Sequence, residues 1–136
     1  MHSRPILVVD DDDDVRNMLC AVLAAEGYPV VGAADGVEAL TLMRHDPPAL
    51  AVVDMMMPRM DGEELIRAMS QDAALVRVPV AIMSGQTTPS SVSAVLPRVS
   101  ARLVKPFELD ELLTLVHRFA DPPARTGDSP QFLRGT

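Results

Sequence analysis

Near its start the chain reads Ile6-Leu7-Val8-Val9-Asp10-Asp11, four aliphatic residues followed by an acidic run that extends to Asp14. A short run rich in β-branched residues, with no polar residue alternating in it, is typical of a strand buried on both faces. The charges that follow must then lie where the strand reaches the surface. The segment therefore predicts a central strand of a parallel sheet, with acidic side chains at its carboxyl end.

The same organisation continues along the chain, where short apolar runs alternate with segments whose apolar residues recur at helical spacing. Gly27 is placed to end the first helical segment, and Asp35 and Asp61 are placed to cap the next two. The least regular segment predicts a short helix between Pro89 and Pro97. Strands are predicted at residues 6–9, 30–33, 50–53, 80–83 and 103–104. Five alternating strand–helix units predict one α/β domain, a doubly wound five-stranded parallel sheet with helices on both faces.

The boundaries of this domain follow from composition. Residues 1–120 carry the periodic pattern, whereas residues 121–136 are rich in Pro, Gly, Asp and Ser and predict a disordered tail or a linker stub. No segment has the length of a membrane-spanning helix, and the first nine residues do not form a signal peptide. The single cysteine, Cys20, excludes an internal disulfide and fits a cytoplasmic location.

Charge and motif content exclude several function classes. Nineteen acidic residues against twelve Lys and Arg give a net charge of −7, which argues against direct nucleic-acid binding. There is no GxxxxGK loop for nucleotide phosphates, and no GxGxxG follows the first strand. Aromatic residues make up only 3% of the chain, so the core is expected to be aliphatic.

Polar and charged residues follow four of the five predicted strands. Asp10 and Asp11 follow the first strand and Asp54 follows the third, while Ser84 and Lys105 follow the fourth and fifth. The carboxyl ends of parallel strands lie along one edge of the sheet, where doubly wound folds bind their ligands. We therefore expect three acids, one hydroxyl and one lysine to meet in a single crevice.

These residue types together suggest a phosphoryl-transfer site. Three carboxylates this close repel one another unless a cation joins them, and Mg²⁺ suits carboxylates, water and a backbone carbonyl. Lys105 can neutralise the oxygens of a phosphoryl group beside the metal, and the Ser84 hydroxyl can donate a hydrogen bond to it. The carboxylate of Asp54 can act as the nucleophile.

Each feature taken alone has a simpler interpretation. The run from Asp10 to Asp14 can be a solvated loop that favours the start of a helix, and for its last three residues that interpretation is preferred. Asp54 can be a turn residue, and Ser84-Gly85 is a generic turn signal. The four methionines between positions 55 and 60 could offer thioethers to a soft metal, but the neighbouring hard oxygens favour core packing instead. Only the joint occurrence at four strand ends favours the functional interpretation.

Four segments, in order and spacing over residues 4–119, resemble the receiver domains of response regulators in two-component signalling. They are Ile6–Asp11 (ILVVDD), Val53–Gly62 (VDMMMPRMDG), Val80–Gly85 (VAIMSG) and Lys105–Phe107 (KPF). The resemblance implies the chemotaxis-regulator fold with strand order 2-1-3-4-5. It also implies a signalling phosphoacceptor that catalyses only its own phosphorylation and dephosphorylation, and is otherwise not an enzyme.

The resemblance assigns a metal site to this chain. Asp11 matches the acid that binds Mg²⁺ (or Mn²⁺) directly, and Asp10 matches its neighbour, which acts through water. Asp54 matches the phosphorylated aspartate, which is also a metal ligand. Met56 lies at the position whose backbone carbonyl completes the site.

The resemblance also assigns the phosphoryl contacts and the partners. Ser84 matches the hydroxyl that turns toward the phosphoryl group, and Lys105 matches the lysine that pairs with it, before a prolyl bond that is typically cis. The implied donor is a histidine on a sensor kinase or a histidine phosphotransfer protein, and phosphorylation is expected to switch binding of a downstream effector that the sequence does not name. Receivers often pair through the face of their last strands and helices, so a homodimer is among the expected assemblies.

Three features bear on how this member would behave. Arg102 stands where receivers commonly carry an aromatic that swings inward with the hydroxyl, so the output switch is expected to differ. Residues 97–100 replace the usual glycine- and acid-rich segment, so the preceding helix is expected to be unusual. Met56 is apolar and near the path of an attacking water, which Gln86 could orient, and we predict a phosphorylated state lasting minutes or longer.

Two other function classes fit parts of the sequence. A phosphatase resembling the haloacid dehalogenase family would use Asp10 as its nucleophile, with Asp12 two residues on. Such an enzyme needs an acidic pair at a later strand end, whereas Asp110 and Glu111 fall inside a predicted helix. Which aspartate becomes phosphorylated, Asp10 or Asp54, separates the two hypotheses. The third hypothesis, an unphosphorylated interaction module, leaves the intact set of strand-end residues without a role.

Overall fold

The computed structural model describes residues 4–57, 59–85 and 96–120. The strands are β1 (Ile6–Val9), β2 (Val30–Ala33), β3 (Leu50–Asp54), β4 (Val80–Ser84) and β5 (Ala101–Val104). The helices are α1 (Asp13–Ala25), α2 (Gly36–His45), α3 (Gly62–Ser70) and α4 (Leu109–Phe119), and a 3₁₀ turn covers Leu96–Arg98. The described residues thus alternate between strands and helices as the sequence predicts.

The five strands form one parallel sheet in the order β2-β1-β3-β4-β5. The predicted fold class and strand order are confirmed. β1 and β2 have the predicted bounds, whereas β5 begins two residues before the predicted start. β3 and β4 each extend one residue further than predicted, and those added residues are Asp54 and Ser84.

An aliphatic core lies on each face of the sheet. On one face α2 and α3 pack against the strands through Leu40, Met43, Leu65, Ile66 and Met69. On the other face α1 and α4 pack through Leu19, Leu23, Leu112, Leu115 and Val116. Since every residue of β1, β3 and β4 is buried, these three strands form the centre of the domain.

Side-chain caps fix where the helices begin, and so where the strand-end residues lie. Asp12 caps α1 by accepting from the N–H groups of Asp14 and Val15. Asp61 caps α3 in a capping box with Glu64. α1 therefore starts directly after the acidic residues that follow β1, and Asp12 has a helix-capping role rather than a position in the sheet-edge cluster.

Some predictions lie partly or wholly outside the described residues. These are the predicted helix between Pro89 and Pro97, the water-orienting Gln86, and the tail from residue 121. The boundary at residue 120 stays a prediction. In the unusual segment 97–100, Arg98 donates to the carbonyls of Leu75 and Val78 and so ties the 3₁₀ turn to the segment before β4. Within the described ranges, no helix has the length and apolar character needed to cross a membrane.

Candidate functional site

The sheet register brings the strand-end residues to a common level. Val9 pairs with Val53, so Asp10 and Asp54 each lie one position beyond that pair. Ser84 is the last residue of β4 and pairs with Val104 of β5. The Lys105 N–H then donates to the Ser84 carbonyl at 2.7 Å. Four elements distant in sequence thus present their polar residues at one edge, as predicted.

Three of these residues form an acidic cluster. Asp10, Asp11 and Asp54 each offer a carboxylate oxygen, and these oxygens lie within 4.8 Å of one another. Asp10 and Asp54 are buried, with 1% and 6% of their surface exposed, whereas Asp11 is exposed. The cluster therefore has two acids at the floor and one at its open side, which suits access by a hydrated cation.

Lys105 supplies the positive charge at this cluster. Its Nζ lies 3.4 Å from Oδ1 of Asp54 and 3.8 Å from Oδ2 of Asp10. The side chain is 38% exposed, so the ammonium group faces solvent as well as the acids. The Lys105–Pro106 bond is cis, as the family resemblance implies.

Among the residues that the structure describes, two buried polar atoms at the site have no hydrogen-bond partner: Oδ2 of Asp10 and Oγ of Ser84. Buried polar groups are almost always paired, so such exceptions in a cleft point to a missing ligand. An oxygen-binding cation fits the carboxylate oxygen, and an anionic acceptor fits the hydroxyl. The donor set of the site therefore fits a hard divalent metal together with a phosphoryl group.

The electrostatics of Asp10 agree with this fit. Burial raises the pKa of the Asp10 carboxyl above its ordinary value, because desolvation disfavours the charged form. The neighbouring charge of Asp54 acts in the same direction, while a hydrogen bond from the Asp12 N–H opposes it. The positive charge of a bound cation would offset both the cost of burying the Asp10 carboxylate and its repulsion by Asp54.

The loop after β3 places Met56 beside the acids. Its N–H donates to Oδ1 of Asp54 at 3.2 Å, while its side chain is 67% exposed. The other methionines of this loop differ, because Met55 is buried and Met57 and Met60 pack against the core. The core-packing interpretation therefore holds for three of the four.

Sequence analysis did not single out Arg16, which contributes to the site from α1. Its Nη1 donates to the backbone carbonyl of Asp10 at 2.9 Å, and its Nη2 pairs with Asp13. The spacing of an arginine six residues after a strand-end acid was the available signal. That spacing was not informative alone, because an arginine in the first turn of a helix is usually exposed to solvent.

Arg102 lies away from the cluster. It is an exposed residue of β5 and borders a shallow groove with α4, whose lining includes Asp110, Glu111 and Arg118. The residue that replaces the usual aromatic is therefore in a charged environment at the edge of the sheet.

The model of the response regulator receiver domain family matches residues 6–117. The response regulator MprA of Mycobacterium avium is 40% identical over 109 residues, which cover 79% of this chain and 47% of that protein. Hybrid signal transduction histidine kinase D of Dictyostelium discoideum is 33% identical over 117 residues, 85% of this chain and 8% of that protein. The chain thus spans under half the length of the first and a small part of the second.

Solved structures show the same fold. The chemotaxis protein CheY4 of Vibrio cholerae is 30% identical, with a TM-score of 0.77 over 87% of this chain and 99% of that one. The receiver domain of the Francisella response regulator 1452 is 29% identical, with a TM-score of 0.76 over 85% of this chain and 95% of that one. Both matches cover almost the whole of the compared chain.

Proposed function

Since this chain belongs to the response regulator receiver domain family of two-component signalling, we propose that Asp54 is its phosphoacceptor. The family as a whole accepts phosphoryl groups, and the proposal assigns that role to one side chain here. The observation that carries it is the position of the Asp54 carboxylate, 3.4 Å from the Lys105 ammonium and within the acidic cluster.

The metal proposed for the site is Mg²⁺ or Mn²⁺. Carboxylate oxygens of Asp10, Asp11 and Asp54 and the backbone carbonyl of Met56 would hold it, with Asp10 acting through water. When bound, the metal would neutralise charge on the phosphoryl oxygens. Oδ2 of Asp10 supports this assignment, because among the described residues this buried oxygen accepts no hydrogen bond and its counter-charge is the Lys105 ammonium, 3.8 Å away.

The proposed reaction uses this chain's own groups in sequence. A carboxylate oxygen of Asp54 attacks the phosphorus of a phosphohistidine, the bond from phosphorus to the imidazole nitrogen breaks, and its electron pair stays on the imidazole. Lys105 moves from the carboxylate to a phosphoryl oxygen. The Ser84 hydroxyl, which is buried and has no hydrogen-bond partner in the described part of the chain, donates to another of those oxygens.

The partners follow from this chemistry. The donor is proposed to be a histidine on a sensor kinase or on a histidine phosphotransfer protein, which is the donor class of the family. The chain would catalyse only its own phosphorylation, with the phosphohistidine as donor, and the hydrolysis of its own acyl phosphate. Its proposed output is a change in binding to an effector or to a second copy of the chain.

The first expected result is a Mg²⁺-dependent gain of mass. Incubation with acetyl phosphate, a small phosphoryl donor, should add one phosphoryl group in the presence of Mg²⁺ and none after chelation. Borohydride reduction should convert the acyl phosphate to a homoserine that peptide mapping locates at residue 54. A modification found at serine, or the absence of any gain in the parent, would contradict the proposal.

A second expected result concerns the lifetime of the phosphorylated state. The exposed, apolar side chain of Met56 adjoins Asp54, where it would hinder an in-line water. Met56→Asn should therefore speed hydrolysis roughly threefold or more, because an amide can hydrogen-bond and orient that water. Loss of the phosphoryl group is followed by intact mass over time, with Met18→Asn, an exposed methionine of α1, as the matched control. Equal rates of hydrolysis in Met56→Asn and the parent would contradict the hypothesis that Met56 shields the phosphoryl group from water.

A further inference from the structure

The loop between β3 and α3 carries Met56, and its described residues are fixed to neighbouring elements at both ends. At the start, the Met55 N–H donates to the Met83 carbonyl of β4 at 3.1 Å. At the end, the Gly36 N–H of α2 donates to the Met60 carbonyl, also at 3.1 Å. The second attachment joins the loop to a helix that contributes no residue to the acidic cluster.

An ion pair reinforces this second attachment. Nη2 of Arg59 contacts Oδ2 of Asp35, the residue that caps α2. Oδ1 of Asp35 accepts from the Glu38 N–H at 2.9 Å, so both oxygens of this buried carboxylate have partners. Because a buried carboxylate without partners is strongly disfavoured, Asp35 can hold the Arg59 side chain in one place.

The backbone at Arg59 shows that this contact has a conformational cost. Its φ angle is +64°, in the left-handed region that side chains other than glycine rarely adopt. Glycine would take the same conformation without that steric cost. It would, however, remove the guanidinium group that reaches Asp35.

The approach of α2 to the loop is also close. A Cβ atom added at Gly36 would lie 2.6 Å from Cγ and 2.7 Å from the backbone oxygen of Met60. The start of α2 therefore fits directly against the loop, with no space for adjustment between them.

We propose that the Arg59–Asp35 ion pair is a positioning device for the metal and phosphoacceptor site. By fixing the end of the loop to α2, the pair keeps the Met56 N–H on the Asp54 carboxylate, where it lies at 3.2 Å. It also holds the Met56 carbonyl where a cation bound to the acidic cluster can use it. The metal part of this inference rests on the proposed function. Arg59 and Asp35 act through the loop and touch neither the metal nor the phosphoryl group.

Loss of Arg59 is expected to change the affinity of the acidic cluster for a cation in one direction if Arg59 positions the loop, and in the other direction if only its charge matters. Removing a positive charge near three carboxylates should by itself strengthen cation binding. Releasing the loop should weaken it, because the backbone must then be ordered when the cation binds. The sign of the change therefore separates the two effects.

The test compares Arg59→Ala, Arg59→Gly and Arg59→Lys with the parent. Calorimetry measures the Mg²⁺ dissociation constant, and hydrogen exchange measures protection of the Met56 amide in the metal-free protein. We expect the dissociation constant to rise roughly tenfold in Arg59→Ala and Arg59→Gly, and Arg59→Lys to recover much of the affinity. Exchange at Met56 should quicken in the first two variants.

The matched control is Arg44→Ala. Arg44 also links α2 to the α3 side of the domain, through an ion pair with Asp72 at 3.0 Å, but at the end of α2 remote from the loop. Its loss should leave both measurements unchanged. Arg59→Gly guards against a folding defect, since it removes the unfavourable φ while breaking the ion pair.

The Met56 exchange rate and the Mg²⁺ dissociation constant together decide whether the ion pair positions the site. Unchanged Met56 exchange in Arg59→Ala and Arg59→Gly would overturn the proposal, as would Mg²⁺ binding equal to or tighter than in the parent. If the parent binds no Mg²⁺, the proposed metal site fails. Exchange at Met56 then decides alone whether the ion pair positions the loop.

Discussion

Asp54→Asn is expected to abolish the Mg²⁺-dependent gain of one phosphoryl group from acetyl phosphate. The amide keeps the size of the carboxylate but lacks a nucleophilic anionic oxygen. Among the acids of the cluster, Asp54 is the one whose oxygen lies 3.4 Å from Lys105 and also accepts the Met56 N–H. Intact mass after a fixed incubation should show complete phosphorylation of the parent under conditions where the variant shows none.

This substitution also separates the two nucleophiles that the sequence left open. A phosphatase of the haloacid dehalogenase type would form its phosphoenzyme at Asp10, so a gain that persists in Asp54→Asn would favour it. The structure already gives Asp12 a helix-capping role, since its side chain accepts the Asp14 and Val15 N–H groups. Asp110→Asn is the matched control, because this exposed acid of α4 lies outside the acidic cluster and should leave phosphorylation intact.

Gly62→Ala is expected to lower the free energy of unfolding more than Gly85→Ala does, although each substitution adds a single methyl group. The added Cβ would lie 2.8 Å from Cα of Met55 and 2.9 Å from the backbone oxygen of Asp54, neither of which can rotate away. Sulfur of Met55 would be closer still, at 2.6 Å. Overpacking of this kind typically costs about 1–3 kcal/mol, and we expect the free energy of unfolding to fall by about 2 kcal/mol.

The control for that variant is Gly85→Ala. No atom of the described residues other than its chain neighbours lies within 4 Å of the Cβ that this change would add, so the free energy of unfolding should move by less than about 0.5 kcal/mol. Urea unfolding of both variants gives the comparison. Equal stability of Gly62→Ala and the parent would show that β3 and α3 can separate without cost, contrary to the packing seen here. Because Gly62 adjoins the Asp54 backbone, the damaged variant should also phosphorylate more slowly.

The residues of the acidic cluster could be predicted from local sequence patterns. Unbroken apolar runs predict buried parallel strands, and such strands share one carboxyl edge, so the residues that follow them must converge. This argument predicts one crevice for Asp10, Asp54, Ser84 and Lys105, and the sheet register places them there. Helix starts at Asp35 and Asp61 were also predicted, because capping depends on residues within one turn.

Contacts between side chains on different elements were not predictable in this way. The Arg59–Asp35 pair, the Tyr28–His117 hydrogen bond and the Arg16 contact to Asp10 all depend on how loops and helices lie against each other. No periodicity connects such residues. His117 of α4 is exposed, yet its Nδ1 lies 2.5 Å from the Tyr28 hydroxyl.

By itself the sequence determined the fold class, the strand order through its family resemblance, and the set of residues at the sheet edge. These depend on hydrophobic periodicity and on the direction of parallel strands, which act over short stretches of chain. Only the tertiary structure decided that Met56 is exposed, that Oγ of Ser84 has no hydrogen-bond partner among the described residues and that Arg59 pairs the loop after β3 with α2. Those features arise when distant side chains compete for the same space and the same hydrogen-bond partners, and that competition exists only in the folded chain.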